Sequence, residues 1–299
     1  MNRILPFLLF LTAAAPALAA PSFEEAMALF EDKDYKAARD IALPYAEKGD
    51  VRAMAMMGLL YQKGYGVSAD LNRAADWYAK AAGKNDADAQ YTLALIYLDG
   101  SLGEADPSRA EYWFRQAARQ GKPEAQLRLG LLAAAEEPPN YTAAAEWFRK
   151  AADLGVTDAE YNLGVLYAEG QGVDKDLVEA GRWFARAAVK GNPDAALDYG
   201  VMVFRGDGVA KDEKTGARWM LISAERGNPV AQNRVARLYA TGRGVAADAA
   251  EAMKWHILAK RGGRPDAWLD DFVTHLSAAE RQEGDKRAQA FRPQSAPAS

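Results

Sequence analysis

Residues 169–195 read EGQGVDKDLVEAGRWFARAAVKGNPDA and hold four glycines. Gly170 and Gly172 form a G-x-G pair just ahead of a helical pattern. That spacing serves either a loop that cradles a phosphate or a turn between two helices. Past the pair, Asp176 reads as a helix N-cap, with Glu179 three residues on as its capping-box partner. Ala180, Trp183, Phe184, Ala187 and Ala188 then share one helical face. Gly191 ends that helix in a position suited to left-handed backbone. Asn192-Pro193 supply a cap and a first-position proline for the next helix, as Asn228-Pro229 do later.

The same string returns along the chain. Trp77, Trp113, Trp147, Trp183, Trp219 and Trp255 are 36, 34, 36, 36 and 36 residues apart. Ala53, Ala89, Ala125, Ala159, Ala195, Ala231 and Ala267 keep the same register, each preceded four residues earlier by Gly or, once, Asn85. A fixed period of this size is the mark of a repeat array. The G-x-G pair recurs as Gly64/Gly66, Gly206/Gly208 and Gly242/Gly244, each followed by Val. No strand precedes it and no G-x-x-x-x-G-K-[ST] occurs, so the glycines read as turns between paired helices, A and B. Asp70, Asp212 and Asp248 stand at the same cap position as Asp176, and Glu251 repeats the box partner.

The recurring residues resemble the Sel1-like repeat family, a relative of the tetratricopeptide repeats. Its pattern, A-x-x-x-L-G-x-x-Y, a G-x-G-V turn, Asp, A-x-x-W-x-x-x-A-A and Gly, is matched throughout by Ala159, Leu163, Gly164, Tyr167, Gly170, Gly172, Val173, Asp176, Ala180, Trp183, Ala187, Ala188 and Gly191. The resemblance implies an all-α, right-handed α-solenoid of helix-turn-helix repeats. It covers 51–263 as six repeats, with 20–50 as a degenerate N-terminal repeat, 264–291 as capping helices and 292–299 as a disordered tail, one mature domain in all. The second repeat (DGSLGEADPS) displaces the second glycine, and the third (AAAEEPPNY) lacks the turn, so local irregularity is expected there. Cysteine-bearing members of the family are linked to penicillin binding. This chain has no Cys, and that activity is not carried over.

The first twenty residues, MNRILPFLLFLTAAAPALAA, give one basic residue, an apolar run and Ala17-Leu18-Ala19. They read as a signal peptide, residues 1–19, cleaved after Ala19, with a retained anchor helix as the other reading. The mature protein is then periplasmic or secreted, with no transmembrane segment after cleavage. A net charge of −4 gives no basic footprint for nucleic acid.

Catalytic chemistry finds little support. His256 stands where the other repeats hold Tyr78, Phe114, Phe148, Phe184 and Met220, and so reads as a core substitution. Two His and no Cys fall short of a zinc site, and neither a metal nor any other cofactor is expected. S-x-x-K and G-x-S-x-G are absent. Glu136-Glu137 and Asp270-Asp271 read as solvated surface, and the tryptophans as core.

Helix A carries the functional lead. Counting from its first Ala as 0, positions 0, 4, 7 and 8 are mostly apolar and position 5 is small, whereas 2, 3, 6 and 10 lie opposite and vary. The varying face contributes Tyr91, Arg128, Tyr161, Asn162, Asp198, Arg234 and Arg237 as candidate groove residues. A constant packing face beside a changing polar-aromatic one fits a stacked binding groove, and equally an ordinary solvent face. The expected function is a protein-binding scaffold, adaptor or regulator whose partner is an envelope receptor or polymer-assembly component. The alternatives are a cell-wall or β-lactam hydrolase and a secreted host-binding effector.

Overall fold

The computed structural model describes residues 21–294. Its regular elements are sixteen α-helices, with no strand among the described residues. The chain divides into two compact units between Ala105 and Asp106, inside the turn of the second repeat. The first unit holds α1 (Phe23–Glu31), α2 (Tyr35–Glu47), α3 (Val51–Lys63), α4 (Leu71–Gly83) and α5 (Ala87–Asp99). The second holds α6 (Pro107–Arg119), α7 (Pro123–Ala134), α8 (Tyr141–Asp153), α9 (Thr157–Glu169), α10 (Leu177–Val189), α11 (Pro193–Arg205), α12 (Glu213–Glu225), α13 (Pro229–Thr241), α14 (Ala249–Arg261), α15 (Ala267–Thr274) and α16 (Ala278–Ala290). The A helices are α3, α5, α7, α9, α11 and α13, each followed by its B helix. Within each unit a helix packs mainly on its neighbours in sequence, and α14 also packs on α16. This is an all-α solenoid, stabilised between nearest neighbours. The signal segment 1–19 and the tail beyond Gln294 lie outside the described residues. The tail residues that are described are anchored: the Gln294 N–H donates to the Glu225 carbonyl at 2.8 Å.

Local chemistry explains the helix ends. Asp70, Asp176, Asp212 and Asp248 each cap a B helix, their side chains accepting first-turn backbone N–H groups. The expected capping boxes do not close. The Glu179 carboxylate pairs instead with Arg182, and Glu251 with Lys254 and Arg287. A charged donor nearby outcompetes a neutral backbone N–H for a carboxylate. Of the described helices, α16 alone carries a closed box, from Ser277 and Glu280.

Two glycine positions set how closely elements approach. A Cβ on Gly164 would lie 2.7 Å from the Phe184 ring, so the small residue at position 5 admits the aromatic that follows the repeat Trp. Gly172, at φ +69°, lies so close to the first residue of α8 that a Cβ would come within 2.2 Å of the Tyr141 carbonyl carbon. The turn of one repeat thus rests on the start of the preceding B helix. The displaced Gly103 of the second repeat has nothing within 4 Å of such a Cβ.

In the second and third repeats the deepest ring is the one after the tryptophan, Phe114 and Phe148 being 0% and 1% exposed, whereas in the last it is Trp255 itself. Trp183 and Trp255 are buried, but Trp77, Trp113, Trp147 and Trp219 are only half-buried. Lys80, Lys150, Arg186 and Lys254 lie over the rings of Trp77, Trp147, Trp183 and Trp255 at 3.9, 4.1, 4.5 and 4.1 Å. Cations thus cover four of these rings, and with Trp77, Trp113, Trp147 and Trp219 half-buried the series is not all core as expected.

Position 1 of helix A holds a polar joint. Gln90, Gln126 and Gln232 are buried, and each Nε2 donates to a carbonyl near the end of the preceding B helix: Ala82, Ala118 and Ala224. In the fourth repeat the residue is Glu160, fully buried and unable to donate. There Arg186 donates to the equivalent Ala152 carbonyl at 3.2 Å and pairs with Glu160 at 2.8 Å. Lys190 completes the cluster, 2.9 Å from the same carboxylate oxygen and 2.8 Å from the Gly155 carbonyl.

Candidate functional site

On α9 helical periodicity sorts the residues as the sequence implies, whereas Met56 and Leu197, on the varying faces of α3 and α11, are buried. Ala159, Leu163, Gly164 and Leu166 of α9 are buried, whereas Tyr161, Asn162 and Val165 on the other side are half-buried. Tyr91 lies on α5 of the first unit, half-buried; the other six candidates are in the second unit. Arg128 is half-buried on α7. Asn162 donates to the Asp158 carbonyl of its own helix at 2.7 Å.

The second unit brings two of the candidates into one cleft. It has a volume of about 380 Å³ and runs between α11 and α13, with Val201, Phe204, Met220 and Leu238 as its apolar lining. Around them stand Arg205, Lys211, Arg234, Arg237 and Arg243, and no carboxylate lines the cleft. Three of these cations are held from behind. Arg237 makes a two-pronged contact with Asp266, at 2.7 and 2.8 Å, and lies over the Trp268 ring. Its fork is therefore occupied by the N-cap of α15 rather than free, as its exposed position had suggested. That contact holds the Asp266 carboxyl down at about 2. Arg243 reaches Glu213 at 2.7 Å and covers the Phe204 ring, and Lys211 lies 3.4 Å from Glu213. Arg205 and Arg234 are both exposed, and neither makes an ion pair among the described residues.

Next to this cleft lies one of opposite charge. About 400 Å³ in volume, it is lined by Glu169, Asp198 and Asp207 with Lys175 the single cation, and it shares Val201 with the first. The Tyr161 hydroxyl donates to Asp198 at 3.3 Å, across one repeat. Burial first, then the Asp198 charge, raises the Tyr161 phenol. Burial also raises the Asp198 carboxyl, against the pull of the Tyr161 hydrogen bond and of Arg234. A carboxylate held where its charge is disfavoured is more common at a functional surface than on a bland one.

Arg205, Lys211 and Arg243 were not among the sequence candidates. Arg205 sits at position 10 of the varying face, so its signal was present; Lys211 and Arg243 lie in turns, where spacing on a helix says nothing.

The first unit carries a different surface. Met27 and Phe30 of α1, Ala55, Met56 and Leu59 of α3, and Thr92 of α5 line a mainly apolar cleft of about 450 Å³. His256 is buried as expected of a core position, and its Nε2 lies 2.9 Å from Asp270. Asp270 also accepts from Lys260 at 2.8 Å, so it is a paired group rather than a bare solvated carboxylate. No cluster of three metal-ligating side chains occurs among the described residues. No helix among them is long and apolar enough to cross a membrane.

A model of the Sel1 repeat matches residues 51–86, 87–122, 123–156, 157–192, 193–228 and 229–263. No match was found among curated protein sequences. Of solved structures, a Sel1 repeat protein from Oxalobacter formigenes is 31% identical with a TM-score of 0.68, over 81% of this chain and 100% of that one. A protective antigen of uropathogenic Escherichia coli strains, displaying an SLR fold, is 24% identical with a TM-score of 0.77 over 90% of this chain. The chain spans 61% of the length of that antigen. Six tandem matches over residues 51–263, on a solenoid of helix pairs, lead to one conclusion: this chain belongs to the Sel1 repeat family.

Proposed function

We propose that this chain is an exported bacterial adaptor or regulator that binds a protein partner through the varying faces of α9, α11 and α13. Sel1 repeats generally mediate protein–protein interaction. The observation that carries the reading to a place on this chain is the pair of adjoining clefts, one cationic and one acidic, on those helices. Opposed charges side by side select and orient a partner more than they tighten its binding. Export rests on the order of Arg3, apolar run and Ala17-Leu18-Ala19.

The test is capture of a partner by the mature protein from detergent-solubilised envelope. Arg234→Glu should abolish recovery, and Arg218→Glu, an exposed change on α12, should leave it intact. Equal recovery with both variants would remove the A-helix face from the function. Arg186 is unsuitable as a control, because it holds the buried Glu160.

A further inference from the structure

Arg205 ends α11, and Arg234 stands at position 3 of α13. Both line the cationic cleft, and partial desolvation, then the Arg205 charge, lowers Arg234 from its ordinary value against the opposing pull of Asp198. Neither makes an ion pair among the described residues, although the Asp198 charge acts on Arg234 from the neighbouring cleft and the same cleft's Arg237, Arg243 and Lys211 are each held by a carboxylate. Two like charges lining one cleft whose walls hold no carboxylate are an unfavourable arrangement in the free protein, offset only in part by Asp198 in the next cleft. A carboxylate-bearing ligand removes the repulsion and fills both forks with charge-assisted hydrogen bonds.

The surroundings narrow the ligand. The walls are fixed in advance, since Arg243 covers Phe204 while gripping Glu213 and Arg237 is clamped to Asp266. Little ordering is then needed on binding. The apolar floor suits the methylenes and side chains of a peptide. A long polyphosphate would leave the cleft and meet Glu169, Asp198 and Asp207 in the next one. We propose that the cleft between α11 and α13 binds a short acidic peptide segment of a protein partner, with Arg205 and Arg234 holding its carboxylates. This rests on the reading of the A-helix face as the partner-binding surface and names the chemistry it recognises.

The probe is a fluorescein-labelled octapeptide with four consecutive glutamates, compared with its glutamine and lysine counterparts, by fluorescence anisotropy on the full mature chain. The glutamate peptide should bind, and more weakly as salt rises. Arg205→Gln with Arg234→Gln should weaken it by about tenfold or more. Lys214→Gln with Arg218→Gln, on exposed positions of α12, should not change it. The single variants Arg205→Gln and Arg234→Gln serve if the double variant loses its helical circular dichroism. The inference is overturned if the glutamine or lysine peptide binds as tightly, if a short oligonucleotide displaces the glutamate peptide at lower concentration, or if the glutamate peptide fails to bind. Where the peptide fails but Arg234→Glu still abolishes envelope capture, the acidic-segment assignment alone is wrong. Where capture survives every variant on this face, the binding reading itself is wrong.

Discussion

Glu160 is the residue at which this solenoid departs most from its own rule. Three other repeats place Gln there, with an amide that donates to the preceding helix; Glu160 has no donor, and Arg186 takes over that bond. Removing both Arg186 and Lys190 would leave a fully buried carboxylate uncompensated, a change that costs about 3–5 kcal/mol. Glu160→Gln should cost no more than about 1 kcal/mol, because the amide can donate to Ala152 and the two cations are half-exposed and remain hydrated. Placed on Arg186→Ala/Lys190→Ala, it should recover most of the loss. Urea midpoints at pH 7 decide this, and a double variant as stable as the native protein would refute the cluster's role. This joint was not legible in sequence, since Gln and Glu beside an alanine read as surface. A polar residue recurring at position 1 of four of the six A helices, Gln90, Gln126, Glu160 and Gln232, was the available signal.

At the same scale, Asp266 makes a pH prediction. Hydrogen bonding from Arg237 lowers its carboxyl to about 2 from an ordinary 3.8. A carboxyl lowered on folding contributes stability that is present above its unfolded value and lost as pH falls through its folded one. The native protein should therefore lose melting temperature between about pH 4 and pH 2 more steeply than an Arg237→Met variant. Parallel slopes in scanning calorimetry over that range would show that the clamp contributes nothing.

The repeat period and the helix caps were legible because they depend on residues close in sequence. Asp70, Asp176, Asp212 and Asp248 cap because an aspartate before a helical run has backbone N–H groups within reach. The boxes failed at Glu179 and Glu251 because their competitors were not counted: Arg182 is local, but Arg287 arrives from α16. The turn glycines carry a sharper test. Gly121 and Gly172 both have positive φ, but only at Gly172 would a Cβ meet backbone. Gly121→Ala should cost roughly 1–2 kcal/mol for backbone strain alone. Gly172→Ala should cost a further 1–3 kcal/mol or so, because Tyr141 and the turn must separate. Thermal melts that rank the two variants the other way would show that the turn does not rest on α8.

For the whole molecule, the face that varies was legible from helical periodicity, and it led to Arg234 and Arg237. That Arg237 is already occupied and Arg205 is not could be read only in three dimensions, because Asp266 lies beyond the last repeat. Export belongs to this scale too. N-terminal mass spectrometry of the fractionated protein should find Ala20 first, and an intact Met1 in the cytoplasm would contradict it.

The central claim is that the varying faces of α11 and α13 bind the partner. Hydrogen–deuterium exchange of the mature chain with and without its captured partner tests it most directly. The account predicts slowed exchange at the end of α11 through Arg205 and along α13 around Arg234, with α10, α12 and α14 unchanged. Slowing confined to those B helices, with α11 and α13 unaffected, would contradict it.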